Sequence, residues 1–202
     1  MKKSFISVCI CLILCYLPIS AQDTLFLKTD SLMISTGPKI YFKGDTNIIV
    51  NKKGEIIEGI LLNNTYLWTG RRLLLFREKS LIRFNQKGNV IAGYLAEMAA
   101  LFTTKQSLNV RSNSYVVFND EGFLREGELS SDMSFPVKGK PIEFKRARAV
   151  YFNDDGQLIG GTLAKREQLL NTEGKIKVHR SGTTVFFNEE GEVVFAKEED
   201  NE

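Results

Sequence analysis

Apolar residues recur along this chain at every second position, in short runs that glycine-containing turns separate. A typical run contains a β-branched residue and, two places on, an apolar residue that directly precedes an asparagine. These pairs are Ile48 and Val50, Ile82 and Phe84, Val116 and Phe118, Val150 and Phe152, and Val185 and Phe187. A period of two is typical of a strand with one buried face, and the spacings of three and four that indicate a helix do not recur. The pattern therefore predicts an all-β fold.

The same pattern repeats with a period of 34 residues. Each repeat contains a tetrapeptide Asn-x-x-Gly, and its glycines fall 34, 34, 34 and 35 residues apart. The turn residues are Asn51 and Gly54, Asn85 and Gly88, Asn119 and Gly122, Asn153 and Gly156, and Asn188 and Gly191. Asparagine first and glycine fourth suit a type I turn that ends in a left-handed residue, as in many β-hairpins. We therefore predict about five antiparallel hairpin repeats of 34 residues, with these asparagines and glycines as structural turn residues.

Further columns of like residues fill the rest of each repeat. One apolar column consists of Ile40, Leu74, Leu108, Ile142 and Ile176, and another, two places on, of Phe42, Phe76, Val110, Phe144 and Val178. This alignment places the extra residue of the last interval within 179–184. A second recurrent glycine is found at Gly59, Gly93, Gly127 and Gly161, where we expect a bend. Trp68 lies in an apolar column, which favours a packed position.

Two architectures satisfy this repeat. In an open meander sheet, equivalent residues lie ~10–15 Å apart, whereas in a β-solenoid they stack at ~4.8 Å. One column is basic and consists of Lys43, Arg77, Arg111, Lys145 and His179. Stacked like charges cost roughly 1 kcal/mol per neighbour, which favours the meander, whereas stacked asparagine amides favour the solenoid. We predict the open meander and keep the β-solenoid as the alternative.

Residues 1–21 have the pattern of a secretory signal peptide. Lys2 and Lys3 precede the apolar segment 5–17, which is shorter than the ~20 apolar residues of a transmembrane helix. We expect cleavage after Ala21 and an exported protein, periplasmic, at the cell surface or secreted, without a transmembrane span. A retained membrane anchor is the alternative. Residues 22–198 then form a single β-repeat domain, and residues 199–202 form a polar tail.

Removal of the signal peptide changes the composition of the chain. All three cysteines lie within it, so the mature protein has no disulfide and depends on packing. Loss of Lys2 and Lys3 leaves 25 basic residues against 24 acidic residues, a net charge of +1 instead of +3. This balance and the exported compartment argue against nucleic acid as a partner.

The segments 116–129 and 150–163 resemble the repeats of two hairpin families. One is the MORN-type repeat with its bacterial YwqK-like variant, and the other is the choline- and glucan-binding repeat of bacterial surface proteins. In the second family, tryptophan follows the second glycine and builds the ligand cage. This chain instead has Ile60, Tyr94, Glu128 and Thr162 at that position. The resemblance therefore implies a non-catalytic repeat scaffold that binds partners, and it argues against a choline cage.

The basic column is the candidate binding site. It either follows an anionic polymer, such as an acidic glycan, or occupies solvent-facing strand positions that discourage edge pairing. His179 belongs to this column and is expected at the surface. Acidic pairs occupy the last three turns, but a dipeptide supplies too few oxygens for calcium. The first two turns carry basic residues instead, so the turns change from basic to acidic along the chain. We predict neither a metal site nor a cofactor.

No motif of a known catalytic class occurs in the sequence. We predict an exported, non-catalytic β-repeat protein that serves as an interaction or structural module. Its partner is a protein or an envelope polymer that meets the exposed face of the sheet. Two alternatives remain open: a glycan-active enzyme with paired carboxylates, and an envelope component that associates with itself.

Overall fold

The computed structural model describes residues 22–34 and 39–198, which form 21 β-strands. The first eleven strands are β1 (Gln22–Leu27), β2 (Ser31–Ile34), β3 (Lys39–Phe42), β4 (Thr46–Asn51), β5 (Ile56–Ile60), β6 (Thr65–Trp68), β7 (Leu73–Phe76), β8 (Leu81–Phe84), β9 (Val90–Tyr94), β10 (Ala99–Phe102) and β11 (Ser107–Val110). The others are β12 (Tyr115–Phe118), β13 (Leu124–Glu128), β14 (Met133–Val137), β15 (Lys140–Phe144), β16 (Ala149–Phe152), β17 (Leu158–Thr162), β18 (Glu167–Leu170), β19 (Ile176–His179), β20 (Thr184–Phe187) and β21 (Val193–Lys197). The predicted signal peptide and the tail 199–202 lie outside the described residues.

Eleven strands form one long antiparallel sheet in the order β1-β4-β5-β8-β9-β12-β13-β16-β17-β20-β21. The sheet is open, with β1 and β21 at its two edges. Equivalent residues of successive repeats lie two strands apart, which corresponds to about 10 Å. The predicted all-β meander of hairpins is therefore confirmed, and the β-solenoid alternative is wrong.

The other ten strands form five two-stranded antiparallel hairpins, β2-β3, β6-β7, β10-β11, β14-β15 and β18-β19. We call them the covering hairpins because their inward side chains pack on one face of the long sheet. One continuous apolar cluster fills the space between the two layers. Phe118 and Phe152 of the sheet are 5% and 1% exposed, and Phe144 of a covering hairpin is fully buried. Each repeat of 34 residues thus contains a sheet hairpin and a covering hairpin.

The sheet turns have a common hydrogen-bond pattern, which the first turn illustrates. The Oδ1 atom of Asn51 accepts hydrogen bonds from the backbone N–H groups of Lys53 and Glu55, at 2.9 and 3.0 Å. The fourth residue, Gly54, has a φ of 77°, in the left-handed region that favours glycine. A register shift follows on the strand pair, as expected for a bulged hairpin.

The second recurrent glycines lie inside strands rather than at bends. A Cβ atom added at Gly59 would lie 2.6 Å from Cδ1 of Phe42, and one added at Gly161 would lie 2.7 Å from Cδ1 of Phe144. The phenyl ring of a covering hairpin thus rests directly on the glycine backbone of the sheet. Close packing between the layers requires glycine at positions such as Gly59 and Gly161, where a phenyl ring is the facing group, and the expectation of a bend is wrong.

The last covering hairpin has a further Asn-x-x-Gly turn, Asn171–Gly174, which is not among the five predicted turns. The N–H groups of Glu173 and Lys175 donate to Oδ1 of Asn171, at 3.1 and 2.8 Å. In this hairpin Leu169 pairs with Lys177, eight positions on, whereas the equivalent pair in the preceding hairpin spans seven. The extra residue of the last repeat therefore lies in this turn and not within 179–184.

This displacement changes the alignment of the last repeat by one residue. His179 pairs with Glu167 as Phe144 pairs with Met133, so His179 occupies the inward position of Phe144. His179 is 9% exposed, and the expected surface position is wrong. Ile176 and Val178, which the sequence pattern assigns to buried columns, are 69% and 46% exposed.

Candidate binding surfaces

The space between the two layers ends at two opposite edges of the molecule, one at each end of the strands. At one, which we call the crossing edge, the chain passes between the long sheet and the covering hairpins. At the other, which we call the turn edge, the Asn-x-x-Gly turns of the sheet lie beside the tips of the covering hairpins. The candidate binding residues are distributed between these edges and the outer surface of the covering hairpins.

The basic column of the sequence lies at the crossing edge. The backbone N–H groups of Lys43, Arg77, Arg111 and Lys145 donate to the carbonyl oxygens of Ile60, Tyr94, Glu128 and Thr162, at 2.8 to 3.0 Å. Each basic residue is thus fixed to the end of a sheet strand in the same way. Since the repeats lie two strands apart, the backbone positions of these residues are spaced by about 10 Å.

Arg180, rather than His179, is the fifth member of this series. A residue with positive φ follows two places after each of the four basic residues, namely Asp45, Lys79, Asn113 and Ala147. Gly182, with a φ of 89°, stands in the same relation to Arg180. We therefore define the basic row as Lys43, Arg77, Arg111, Lys145 and Arg180, all of which are at least partly exposed.

Neighbouring side chains contact two of the cations in the basic row. The guanidinium carbon of Arg77 lies 4.8 Å from the ring centroid of Tyr94, a cation–π contact. Nη1 of Arg111 lies 3.5 Å from Oε2 of Glu128, a partly exposed ion pair. The row is therefore held by an aromatic ring and a carboxylate near its middle, where its charge is partly balanced.

At the turn edge, acidic sheet turns lie against basic tips of covering hairpins. A Cβ atom at Gly122 would lie 2.3 Å from the carbonyl oxygen of Thr69, and one at Gly191 would lie 2.5 Å from Cγ of Lys138. The acidic turns carry Asp120 and Glu121, Asp154 and Asp155, and Glu189 and Glu190; the tips beside them carry Arg71 and Arg72, Lys105, and Lys138. No described heavy atom lies within 4 Å of a Cβ at Gly54, in the basic first turn. The negative charge of the last three turns therefore matches the positive charge of the hairpin tips beside them.

The acidic turns do not combine into a metal centre in the described part of the chain. No group of three or more His, Cys, Asp or Glu side chains there is arranged to hold a metal ion. Arg125 instead forms an ion pair with Asp154 in the following turn. Of the acidic turn residues, Asp154 is thus paired with a cation, and Asp120 accepts a hydrogen bond from Nδ2 of Asn85 at 3.1 Å.

Burial shifts the pKa of His179 and of Glu126, as it does for Tyr115 and Tyr151. It lowers the pKa of His179, with a smaller effect in the same direction from the charge of Lys177. Nε2 of His179 is buried and has no hydrogen-bond partner among the described residues. Burial also raises the pKa of Glu126, whose backbone pairs with Tyr151 of the neighbouring strand in the long sheet.

The outer surface of the first covering hairpins is apolar and exposed. Trp68 is 46% exposed beside Leu73, which is 58% exposed, so the packed position expected for Trp68 is wrong. Tyr41 and Tyr66 are 49% and 55% exposed on the same surface. Alternation in these short strands places one set of side chains in the core and the other in solvent.

The chain matches no protein-family model, and neither a curated protein nor a solved structure is similar to it. Residues 22–34 and 39–198 contain no candidate transmembrane helix.

Proposed function

We propose that the protein is an exported, non-catalytic interaction module that binds an anionic polymer of the cell envelope along the basic row. The observation that supports this proposal is the regular placement of five cationic side chains at equivalent backbone positions of the crossing edge. A polymer with negative charges at regular intervals has the complementary pattern.

The sheet makes such binding multivalent. A single exposed ion pair contributes about 0.2–1 kcal/mol, which is too little for a specific complex. Five cations on a rigid scaffold act together, because each bound charge raises the effective concentration of the next one. The affinity of the complex is then expected to fall steeply with ionic strength, since exposed charges are screened within ~10 Å at 0.1 M salt.

The position of the row also suits an extended ligand. Lys43, Lys145 and Arg180 make no side-chain ion pair among the described residues, so their charges are available to a partner. Arg77 and Arg111 are oriented by Tyr94 and Glu128. In the row, Lys43 precedes these two oriented arginines, and Lys145 and Arg180 follow them. A linear arrangement of cations favours an extended ligand over a compact one.

Charge reversal at three row positions tests the proposal. The variant Arg77→Glu/Arg111→Glu/Lys145→Glu changes the net charge by the same amount as the control Lys52→Glu/Lys53→Glu/Lys87→Glu at the turn edge. Binding is measured to immobilised polygalacturonate, a linear acidic polysaccharide, and to neutral dextran, and then by pull-down from envelope fractions.

We expect the row variant to bind polygalacturonate at least tenfold more weakly, a difference of about 1.4 kcal/mol. The turn-edge control should bind like the original protein, and neither should retain dextran. If both variants lost the same affinity for polygalacturonate, net charge alone would account for binding, and the basic row would not be the site. Unchanged capture by the row variant would remove the assignment of the site.

A further inference from the structure

A cavity of about 600 Å³ opens at the turn edge, between two covering hairpins and two turns of the long sheet. Its lining includes the tips of hairpins β10-β11 and β14-β15 and the turns at Asn153 and Asn188. Phe135, Leu158 and Phe187 provide an apolar floor. The rim is polar and consists of Lys105, Gln106, Lys138, Asn153, Gln157, Asn188 and Glu189.

Comparison with the preceding repeat shows which side chain differs at the cavity. There, Phe123 follows the turn glycine and lies under Arg71, whose guanidinium carbon is 3.9 Å from the ring centroid. The equivalent residue at the cavity is Gln157, which is smaller and polar. Leu124 beneath Phe123 is 1% exposed, whereas the equivalent Leu158 is only partly buried. Leu158 is thus the part of the apolar floor that is partly exposed beside Gln157, whereas Phe135 and Phe187 are 1% and 6% exposed.

The tip of the β14-β15 hairpin extends the apolar lining. Val137 stands where the earlier hairpins have Thr69 and Thr103, and it is 8% exposed. The two threonines accept or donate hydrogen bonds within their own tips, to residues such as Arg72 and Gln106. Valine adds no polar group at this place, so the wall above Phe135 is apolar as well.

Two turn glycines hold the walls of the cavity in place. A Cβ atom at Gly156 would lie 2.3 Å from Oγ1 of Thr104, and one at Gly191 would lie 2.5 Å from Cγ of Lys138. The hairpin tips that carry Lys105 and Lys138 thus rest directly on the backbone of the sheet turns. A cavity with walls fixed in this way needs little ordering when a ligand enters.

We propose that this cavity binds an amphiphile with an apolar chain or ring and a single anionic head. The apolar part would lie on Phe135, Leu158 and Phe187, and the head would lie near the ammonium groups of Lys105 and Lys138. Neither ammonium group has a carboxylate partner among the described residues. Glu189 on the same rim disfavours a second negative charge. The volume lies within the ~300–1,000 Å³ range of pockets that bind small ligands.

The first experiment measures binding of 1-anilinonaphthalene-8-sulfonate, a fluorescent aromatic anion, to the purified protein, with dodecanoate as competitor. Dodecanol and dodecyltrimethylammonium have the same chain with a neutral and a cationic head. We expect saturable binding of one probe per chain, and displacement by dodecanoate at least tenfold more effective than by the other two. Equal displacement by all three would overturn the proposed role of the lysines.

Substitutions in the cavity lining test whether the probe binds in the cavity. Gln157→Phe restores the ring found in the preceding repeat and should weaken probe binding at least tenfold, while Gln157→Ala leaves the cavity open and should keep it. Lys105→Glu/Lys138→Glu, a surface change, should remove the preference for dodecanoate, whereas Lys87→Glu should not. Urea midpoints verify that each variant is folded.

Probe binding that survives both Gln157→Phe and the lysine reversal would place the ligand elsewhere and refute the proposal. This outcome is independent of polymer binding at the crossing edge, since the basic row and the cavity share no residue. The row variant is therefore expected to bind the amphiphile like the original protein.

Discussion

The contact between a glycine of the long sheet and a phenyl ring of a covering hairpin allows a quantitative test of the packing. In Gly59→Ala the new methyl group would lie 2.6 and 2.7 Å from two ring carbons of Phe42 and 3.1 Å from Cγ2 of Ile48. Since the ring is fully buried, it has to shift or the layers have to separate. Overpacking of this kind costs about 1–3 kcal/mol.

Gly127→Ala is the matched control within the same chain. Here the facing residue is Val110, and the methyl group would lie 3.2 and 3.3 Å from its Cγ atoms. A shift of a few tenths of an ångström relieves these contacts. The loss of chain entropy in the unfolded state contributes about 0.4–1 kcal/mol in the opposite direction. We expect the stability of Gly127→Ala to stay within about 0.5 kcal/mol of the original protein.

Equilibrium urea denaturation followed by far-UV circular dichroism measures both variants. The double variant Phe42→Val/Gly59→Ala copies the Val110 and Gly127 arrangement with a methyl group added. It should be more stable than the sum of its single changes predicts, by about 1 kcal/mol or more. Additive losses in this cycle, or a cost for Gly127→Ala as large as that for Gly59→Ala, would refute the proposed contact.

Two further predictions concern the turn edge and the last repeat. Gly122→Ala should destabilise the protein more than Gly54→Ala does, because both replace a glycine with positive φ, at a cost of about 1 kcal/mol, but only the first also meets the carbonyl oxygen of Thr69. Equal urea midpoints for the two variants would contradict the stacking of turn and tip. The lowered pKa of His179 means that the folded state disfavours its proton, so stability should fall as the pH drops below about 6.5. His179→Val should lose this component between pH 7.5 and 5.5, and identical pH profiles would argue against a neutral, buried imidazole.

Local chemistry made the sheet predictable. Alternating side chains such as Val116 and Phe118 need a buried face, and Asn119 with Gly122 needs a tight turn, whatever the rest of the chain does. However, the alternation of apolar and polar residues does not indicate whether a strand belongs to the long sheet or to a covering hairpin. The covering hairpins show the same period of two as the sheet, so the sequence pattern could not separate the two layers.

The wrong predictions for the last repeat have a common cause. Ile176 and Val178 have the chemistry of the buried columns, and an alignment on apolar residues therefore moved the extra residue past them. The turn at Asn171 was the available signal, because it has the same Asn-x-x-Gly pattern as the sheet turns. Its recognition would have assigned Arg180 to the basic row and His179 to the core.

The candidate cavity could not be predicted from the sequence, for a different reason. Gln157 is unremarkable as the residue after a turn glycine, where Glu55 and Asn89 also occur. Its importance depends on a hairpin tip from another repeat that lies above it in the folded protein. Contacts between layers of this kind have no periodic trace in the chain.

The way in which tips and turns meet links repeats that are not neighbours. The tip at Thr69 follows the sheet turn at Asn51, passes over the turn at Asn85, and rests on the turn at Asn119. Simple solenoids couple only adjacent units, and their ends can fray one unit at a time. Here the tips of three covering hairpins, β6-β7, β10-β11 and β14-β15, each contact the turn of a sheet hairpin two places ahead. Opening the middle of the array therefore requires several repeats to separate together, which concentrates local unfolding at the two ends.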